Sequence, residues 1–461
     1  MRTTDMRPCI AGLPAVLMTD PLSRSAVLAG AQCVRRLWLE AHATSPAGHP
    51  EARLVRQDEG RRVEDLAREK FPGGVRISWG PNAAAETATA LADPTTTTLY
   101  KGVFDTGDVR VRVDILRRRT DGWELVDVRS GLKVKRGYLV DIGLQMAVLR
   151  AVDIRIIDAH IAHLRRGAKA GVIHPDTHMR VVRVTDRVVP FVIPDVGPWR
   201  EVLALEEEPA IEPGIQCGVP WRCPYLSHCG PSAHSPHASP PPGAREAAER
   251  GNEWIGPDLL AAIPRRPVHF LDFEAFQPSL PDHPDIVPFD AVPFLWVVRT
   301  SGEPLSKSFL GVQPDPRRAF TESLLTALAD DLPILVWSDY ESKTLGRMAK
   351  LFTDLAPAID EVRERIFDLH APVRVGFWSA ALGGMYSVKA VAAAFDSDFS
   401  YRDLAIRNGR DAALLALGIR RGLVNEDVRE DLVAYCDRDV VALQVIHEGL
   451  LRAPQSPAQR D

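Results

Sequence analysis

Residues 269–276 read HFLDFEAF, and this stretch decides how the second half of the chain is read. An apolar run of high strand propensity is followed by Asp272 and Glu274 at a spacing of two. A strand repeats its side-chain direction every second residue, so both carboxylates face the same way. Like charges side by side repel, and both lose hydration once the sheet is covered. A divalent cation relieves that conflict, and hard carboxylate oxygens favour Mg²⁺ or Mn²⁺. The plainer alternative is a strand end whose acids reach solvent or pair with Arg265 or Arg266.

At 461 residues the chain exceeds one ordinary core, so two to three domains are expected. Hydrophobic residues make up 45% and charged residues 25%, an ordinary soluble globular composition. The formal net charge of -5 means that contact with nucleic acid must use local basic clusters. No apolar run approaches the roughly 18 residues of a membrane span, and the first twenty residues are weakly apolar for a signal peptide. A cytoplasmic protein without a membrane partner is expected. The 6 Cys residues are too few and uneven for a secreted disulfide scaffold. Cys33 stands early and Cys217, Cys223 and Cys229 form a tight trio, a possible four-thiolate site, whereas Cys9 and Cys436 stand apart.

In the first half, residues 21–43 read as an amphipathic helix broken by a short Gly-containing turn, with Cys33 starting the second piece. A charged helix over 51–71 carries Glu59 and Glu64, and Gly73-Gly74 ends it before a VRISW strand. Residues 97–119 alternate as two strands of a meander, with Asp114 in VRVDIL. WELVDVRS is a third strand carrying Asp127 and Arg129. The helix GYLVDIGLQMAVLRAV then places Asp141 and Gln145 on one face at i, i+4, before the strand IIDAHIAHL.

Acids on two neighbouring strands, with a basic residue two positions after the second, form a D…(D/E)-x-K pattern. Such a pattern can hold a metal and position water for phosphodiester hydrolysis. On Asp114, Asp127-x-Arg129 and Asp141/Gln145, the chain resembles the RecB-like branch of the PD-(D/E)XK nucleases. The resemblance implies a metal site at Asp114 and Asp127, with Gln145 in the branch's Q motif. Glu64 stands where the branch carries a metal-binding His. Arg129 replaces the usual Lys, and Arg is not the same compact point charge. Lys133 or Lys135 could take that place. RecB-like members with one Cys before the core and three after it hold a 4Fe–4S cluster, and Cys33, Cys217, Cys223 and Cys229 stand in that order. Their first gap is five residues here, where better-known members have two, and Zn²⁺ is the alternative for four thiolates.

Residues 230–245, GPSAHSPHASPPPGAR, read as an exposed linker. They separate a RecB-like domain over 1–229 from a second domain over 246–461. In that second domain three strands, a helix, a strand and a helix, with acids at strand ends, fit an RNase H-like α/β fold. Asp272 and Glu274, Glu341 in WSDYESKTL, and Tyr435 and Asp439 in AYCDRDVV resemble the site of the DEDD-type 3′–5′ exonucleases with a Y-x3-D last helix. The resemblance implies that the four acids hold two metals and that Tyr435 orients the attacking water. That family carries Asp where this chain has Glu341, and Asp339 is the alternative.

The chain is also similar to a bacterial family of unknown function that joins these two halves. Its FLDFE, DL, GxxSxKxV and YCxxD segments match residues 270–274, Asp368-Leu369, then Gly384, Ser387, Lys389 and Val391, and the final helix. Lys389 and Arg407 are candidate phosphate contacts or plain solvated charges. Asp368 either supports the metal site or caps a strand, and Cys436 reads as a buried helix residue.

The expected function is a metal-dependent nuclease. Its second domain removes nucleotides from a 3′ end, and its first binds or cuts nucleic acid, DNA ahead of RNA. The rivals are a non-catalytic binding or assembly protein with decayed sites and an enzyme acting on a small nucleotide.

Overall fold

The computed structural model describes residues 20–42, 49–168, 172–230, 240–265, 267–382 and 384–452. Cys9, Arg266 and linker residues 231–239 lie outside the described residues. The chain packs into two compact units. The first comprises Glu64–His163 and Met179–Leu226 with the described part of Met1–Pro46. The second comprises Ser227–Asp461 and also takes in Ala47–Val63 and Leu164–His178, two segments from the first half of the chain.

The first unit is built on a mixed 7-stranded sheet. Its strands are β1 (Leu22–Ser23), β2 (Val75–Arg76), β3 (Thr98–Asp105), β4 (Val109–Arg119), β5 (Gly122–Arg129), β6 (Ile156–Leu164) and β7 (Met179–Arg183). They lie in the order β2-β3-β4-β5-β6-β7, and β1 pairs with β4. β3, β4 and β5 form the expected antiparallel meander, and β6 returns parallel to β5 after the helix Arg136–Ala151. Alternation along β4 buries Val109, Val111 and Val113 in one core with Ile142, Leu144 and Val148 of that helix.

Several local expectations shift. The break in the N-terminal helix falls at Cys33, extended between the helices Arg24–Gln32 and Val34–His42. Gly30 stays helical, and a Cβ there would lie 2.9 Å from the Trp199 ring. The VRISW strand contracts to Val75–Arg76, and the helix Ala83–Ala92 follows it, its Ala/Thr sequence lacking a broad apolar stripe.

The second unit holds a 5-stranded mixed sheet in the order β11-β10-β9-β12-β13. Its strands are β9 (His269–Phe276), β10 (Val292–Thr300), β11 (Lys307–Leu310), β12 (Ile334–Val336) and β13 (Ile366–Asp368). β8 (Trp254–Ile255) and β14 (Phe377–Trp378) pair separately. β9, β10 and β11 run antiparallel, and β12 lies parallel to both β9 and β13. Both sheet faces are covered. Leu271 and Phe273 of β9 pack with Phe320 and Leu345 on one side. Phe270 and Phe276 pack on the other with Leu432, Tyr435, Val440 and Leu443 of the long helix Arg429–Arg452. Period two therefore aims Asp272 and Glu274 at that helix.

Candidate metal centre and a second acidic site

In the second unit, Asp272, Glu274 and Asp439 each offer a carboxylate oxygen, and these atoms lie within 4.8 Å of one another. Among the described residues this is the one such group. Strand period brings the first two side chains together, and the long helix supplies the third. Burial raises all three carboxyls above the ordinary range, and repulsion from Asp439 adds to it at Asp272. Glu341, in the first turn of the helix Tyr340–Leu351, is 4% exposed. Burial and then the Asp272 charge push its carboxyl up too, and its Oε2 atom is buried without a hydrogen-bond partner. Asp339 is exposed instead and pairs with Lys343 at 2.5 Å. Of the two candidates for the third acid, Glu341 is the one turned inward.

The donor set fits a divalent cation: clustered hard oxygens, an orphaned buried carboxylate oxygen, and raised carboxyls that a positive charge would restore. This group could therefore hold a divalent metal. Gly409 lines the same place, where a Cβ would come 3.3 Å from Glu274 Oε1 and 3.6 Å from the Tyr435 hydroxyl.

Around these acids stand residues whose part the sequence left open. Lys389 donates from Nζ to the Tyr435 hydroxyl and to the Arg407 carbonyl, each at 3.0 Å. Its ammonium lies 3.9 Å from the centre of the Tyr401 ring. Lys389 is thus half-buried inside the site, whereas Arg407 is exposed and contributes its backbone. Burial lowers the Lys389 pKa, opposed by Asp439, Glu274 and Asp272. The Tyr401 hydroxyl donates to Asp439, as does that of Tyr435. The Cys436 thiol lies 3.3 Å from Asp272 Oδ2, so this helix residue also belongs to the site. Asp368 accepts from His370 N–H at 2.8 Å and lies near enough to Glu341 to raise it.

The GxxSxKxV segment now has a physical reading. Gly384 adopts φ 77, Ser387 caps the helix Val388–Phe395, Lys389 reaches the Tyr435 hydroxyl, and Val391 is buried.

The first unit gathers a second acidic site. Asp127 is fully buried on β5 and accepts from Arg129 and, at 3.0 Å, from Gln145. Arg129 forks to Asp141 as well, and Arg24 approaches Asp141 at 3.5 Å. Burial pushes the Asp127 carboxyl up to about 6 against the pull of Arg129. Asp114 accepts from Val128 N–H at 2.9 Å. Lys101 was not singled out by the sequence, yet its Nζ sits 2.7 Å from both Asp114 and Glu64. Lys133 and Lys135 are exposed. The register pairs Tyr100 with Ile115 and Gly102 with Val113, which sets Lys101 opposite Asp114. Its φ of 58 is left-handed, costing about 1–3 kcal/mol, so surrounding contacts must hold it there.

Cys33, Cys217 and Cys223 belong to the first unit and Cys229 to the second. Cys33, Cys217 and Cys223 are free thiols. Burial raises the Cys223 thiol, and Cys217 and Cys33 lie close enough to raise it further. Gln32, next to Cys33, donates to the carbonyls of Gln216 and Trp221 at 2.7 Å each, which ties down the loop bearing Cys217.

Compared with known proteins, residues 269–387 match a family model described as a domain of unknown function, DUF2779. The match spans β9 to the Ser387 cap and stops short of Lys389 and of the helix carrying Tyr435 and Asp439. No curated protein and no solved structure matches the chain. Among the described residues no helix is long and apolar enough to cross a membrane.

Proposed function

We propose that the second unit is a metal-dependent phosphodiester hydrolase that shortens single-stranded nucleic acid from its 3′ end, and that the first unit binds the polymer. The observation that carries this is the convergence of Asp272, Glu274 and Asp439, with Glu341 beside them, on a sheet face covered by the Tyr435 helix. The three antiparallel strands followed by a helix and a parallel strand also agree with an RNase H-like reading.

A divalent metal held by Asp272, Glu274, Asp439 and Glu341 would polarise a phosphoryl oxygen and make water a better nucleophile. The chain's own groups do the rest. Phenol donors from Tyr401 and Tyr435 fix the Asp439 carboxylate. Burial keeps Tyr435 protonated, so it orients by hydrogen bonding rather than acting as a base. The Lys389 ammonium fixes the phenol oxygen.

In the first unit Lys101, Arg129 and Arg24 already satisfy Glu64, Asp114, Asp127 and Asp141. A site neutralised from within supports binding there ahead of hydrolysis. Among the described residues no cysteines gather closely enough to hold an ion, so an iron–sulfur cluster, with Zn²⁺ as the alternative, is proposed on the sequence order of Cys33, Cys217, Cys223 and Cys229 alone. Metal analysis and a visible spectrum of anaerobically purified protein separate the two.

The test uses 5′-labelled single-stranded DNA and RNA with Mn²⁺ or Mg²⁺. A ladder shortening from the 3′ end, lost in Asp272→Asn and kept in Asp114→Asn, is expected. Internal cuts lost in Asp114→Asn would move the chemistry to the first unit. Folded, metal-loaded protein that leaves both polymers intact would replace this reading with a non-catalytic binding protein.

A further inference from the structure

The first unit also contains a cleft of about 540 Å³. It runs between the N-terminal segment and the outer part of the sheet, and Arg24, Trp79, Arg110 and Arg112 line it. Trp79 is 66% exposed, leaving most of a large indole in water. Burying such a ring stabilises by about 1.5–3 kcal/mol, so its exposure is a forgone gain.

The Arg112 guanidinium carbon lies 5.6 Å from the Trp79 ring centre. Its Nε is buried with no partner, and its Nη2 makes only a 3.4 Å contact with the Ile77 carbonyl. Arg24 Nη1 is likewise buried without a hydrogen bond, and Arg24 lines the cleft while reaching towards Asp141 and Asp127. By contrast Arg110 is engaged twice by Asp105, at 2.7 and 2.8 Å, and has little left to offer. Asp20 and Glu40 also border the cleft, and Arg36 holds Glu40 at 2.7 Å.

We infer that this cleft seats one nucleotide of a single-stranded nucleic acid, its base on the Trp79 face and its phosphate on Arg112. The inference rests on the nucleic-acid reading proposed above and assigns the polymer's place in the first unit. An indole flanked by a guanidinium takes any base by stacking, while under-bonded Arg donors suit a phosphate. Burying an unpaired Arg donor is costly in a free protein and favourable once an anion meets it.

The experiment measures anisotropy of fluorescein-labelled (dT)15 with the full chain in the Asp272→Asn background, in EDTA. Trp79→Ala is expected to weaken binding by about 5–100-fold, the worth of one base stack, and Trp79→Phe to retain most of it. Arg112→Gln is expected to weaken binding and to lower the salt slope by about one. If Trp79→Ala and Arg112→Gln both bind within two-fold of their parent, or if the parent does not bind, the inference is overturned. Competition by dTMP at the same concentration as the oligonucleotide would overturn the polymer assignment in favour of a mononucleotide pocket. Assays with Mn²⁺ on the chain carrying Asp272 keep the two ideas apart. Trp79-dependent binding without strand shortening leaves the cleft standing and removes the hydrolase; shortening with Trp79-independent binding does the reverse.

Discussion

Lys389 is the residue whose role changed most between sequence and structure. A lysine in a helix's first turn reads as a solvated charge, because sequence spacing does not reveal what a neighbouring helix presents to it. In the fold it is a compact cation that touches Tyr435 through a hydrogen bond and Tyr401 through its ring face. Lys389→Met should lower kcat by about 10–100-fold with little change in KM, the size seen when an orienting partner of a metal-site group is removed. Lys389→Arg should not restore it, since a planar fork does not replace a point charge between two phenols. A rise in KM with kcat intact would make it a substrate contact instead. The choice between Glu341 and Asp339 was equally closed to sequence, because both lie beside the start of one helix. Burial separates them. Glu341→Gln should abolish metal-dependent turnover and Asp339→Asn should leave it within about two-fold, a surface change touching one exposed ion pair. The reverse result would reassign the third acid. The D-x-E pair was legible because strand period alone fixes its direction. Cys436 was not, since a buried helix thiol looks the same whether or not a carboxylate faces it.

Helices and strands carry these side chains to their places, and two elements make claims of their own. The helix Gly409–Arg420 begins against the carboxylates, with Asn408 capping it by accepting from Asp411 N–H at 3.0 Å. Its first residue stands tight against the site, because a Cβ there would meet the Glu274 carboxylate at 3.3 Å and a larger side chain would have to displace it. Gly409→Val should therefore cut turnover at least about ten-fold and weaken metal binding while leaving the fold intact, as near-attack geometry tolerates little displacement. Wild-type metal affinity in that variant would show that the helix start is not part of the site. In the first unit, β5 and the helix Arg136–Ala151 are joined by the fork of Arg129 onto Asp127 and Asp141. Arg129→Met strands two largely buried carboxylates and should cost about 3–5 kcal/mol, read as a lower urea midpoint of the transition reporting that unit. An unchanged midpoint would mean that Gln145 and Arg24 suffice. The long strands and the Asp141/Gln145 face were legible from period 2 and the i, i+4 spacing. β12 was legible from the apolar run PILVW, whereas β13 holds only 3 residues, too few for a period to register. Lys101 escaped because a left-handed residue within a strand has no sequence signature except at Gly.

At the scale of the molecule, the membership of 47–63 and 164–178 in the second unit was not legible in the sequence, since such long-range packing leaves no local pattern. Ala52 and Val55 are buried in that unit's core with Leu415 and Val424, contacts set by the chain's return hundreds of residues later. The second unit also carries an electrostatic cost that the whole chain must bear. Asp272, Glu274, Glu341 and Asp439 all have raised carboxyl pKa values, with burial the first cause. A carboxyl that holds its proton more tightly folded than unfolded adds stability at pH below its unfolded value. That stability is lost as pH rises through the raised folded value. The metal-free protein should therefore become less stable from about pH 4 upward as these acids ionise against one another. A cation competes with those protons and is favoured where they have left. Mn²⁺ or Mg²⁺ at about 100 times its dissociation constant should contribute about 2.7 kcal/mol at pH 8, raising Tm by roughly 5–10 °C. The shift should be much smaller at pH 5. Asp272→Asn combined with Glu274→Gln removes two of the mutually repelling charges, so the metal-free double variant should be more stable than wild type at pH 8 and indifferent to the metal. Thermal unfolding at the two pH values, with and without metal, checks each of these signs. A metal shift equal at pH 5 and pH 8, or one surviving the double substitution, would place the cation somewhere other than on these carboxylates.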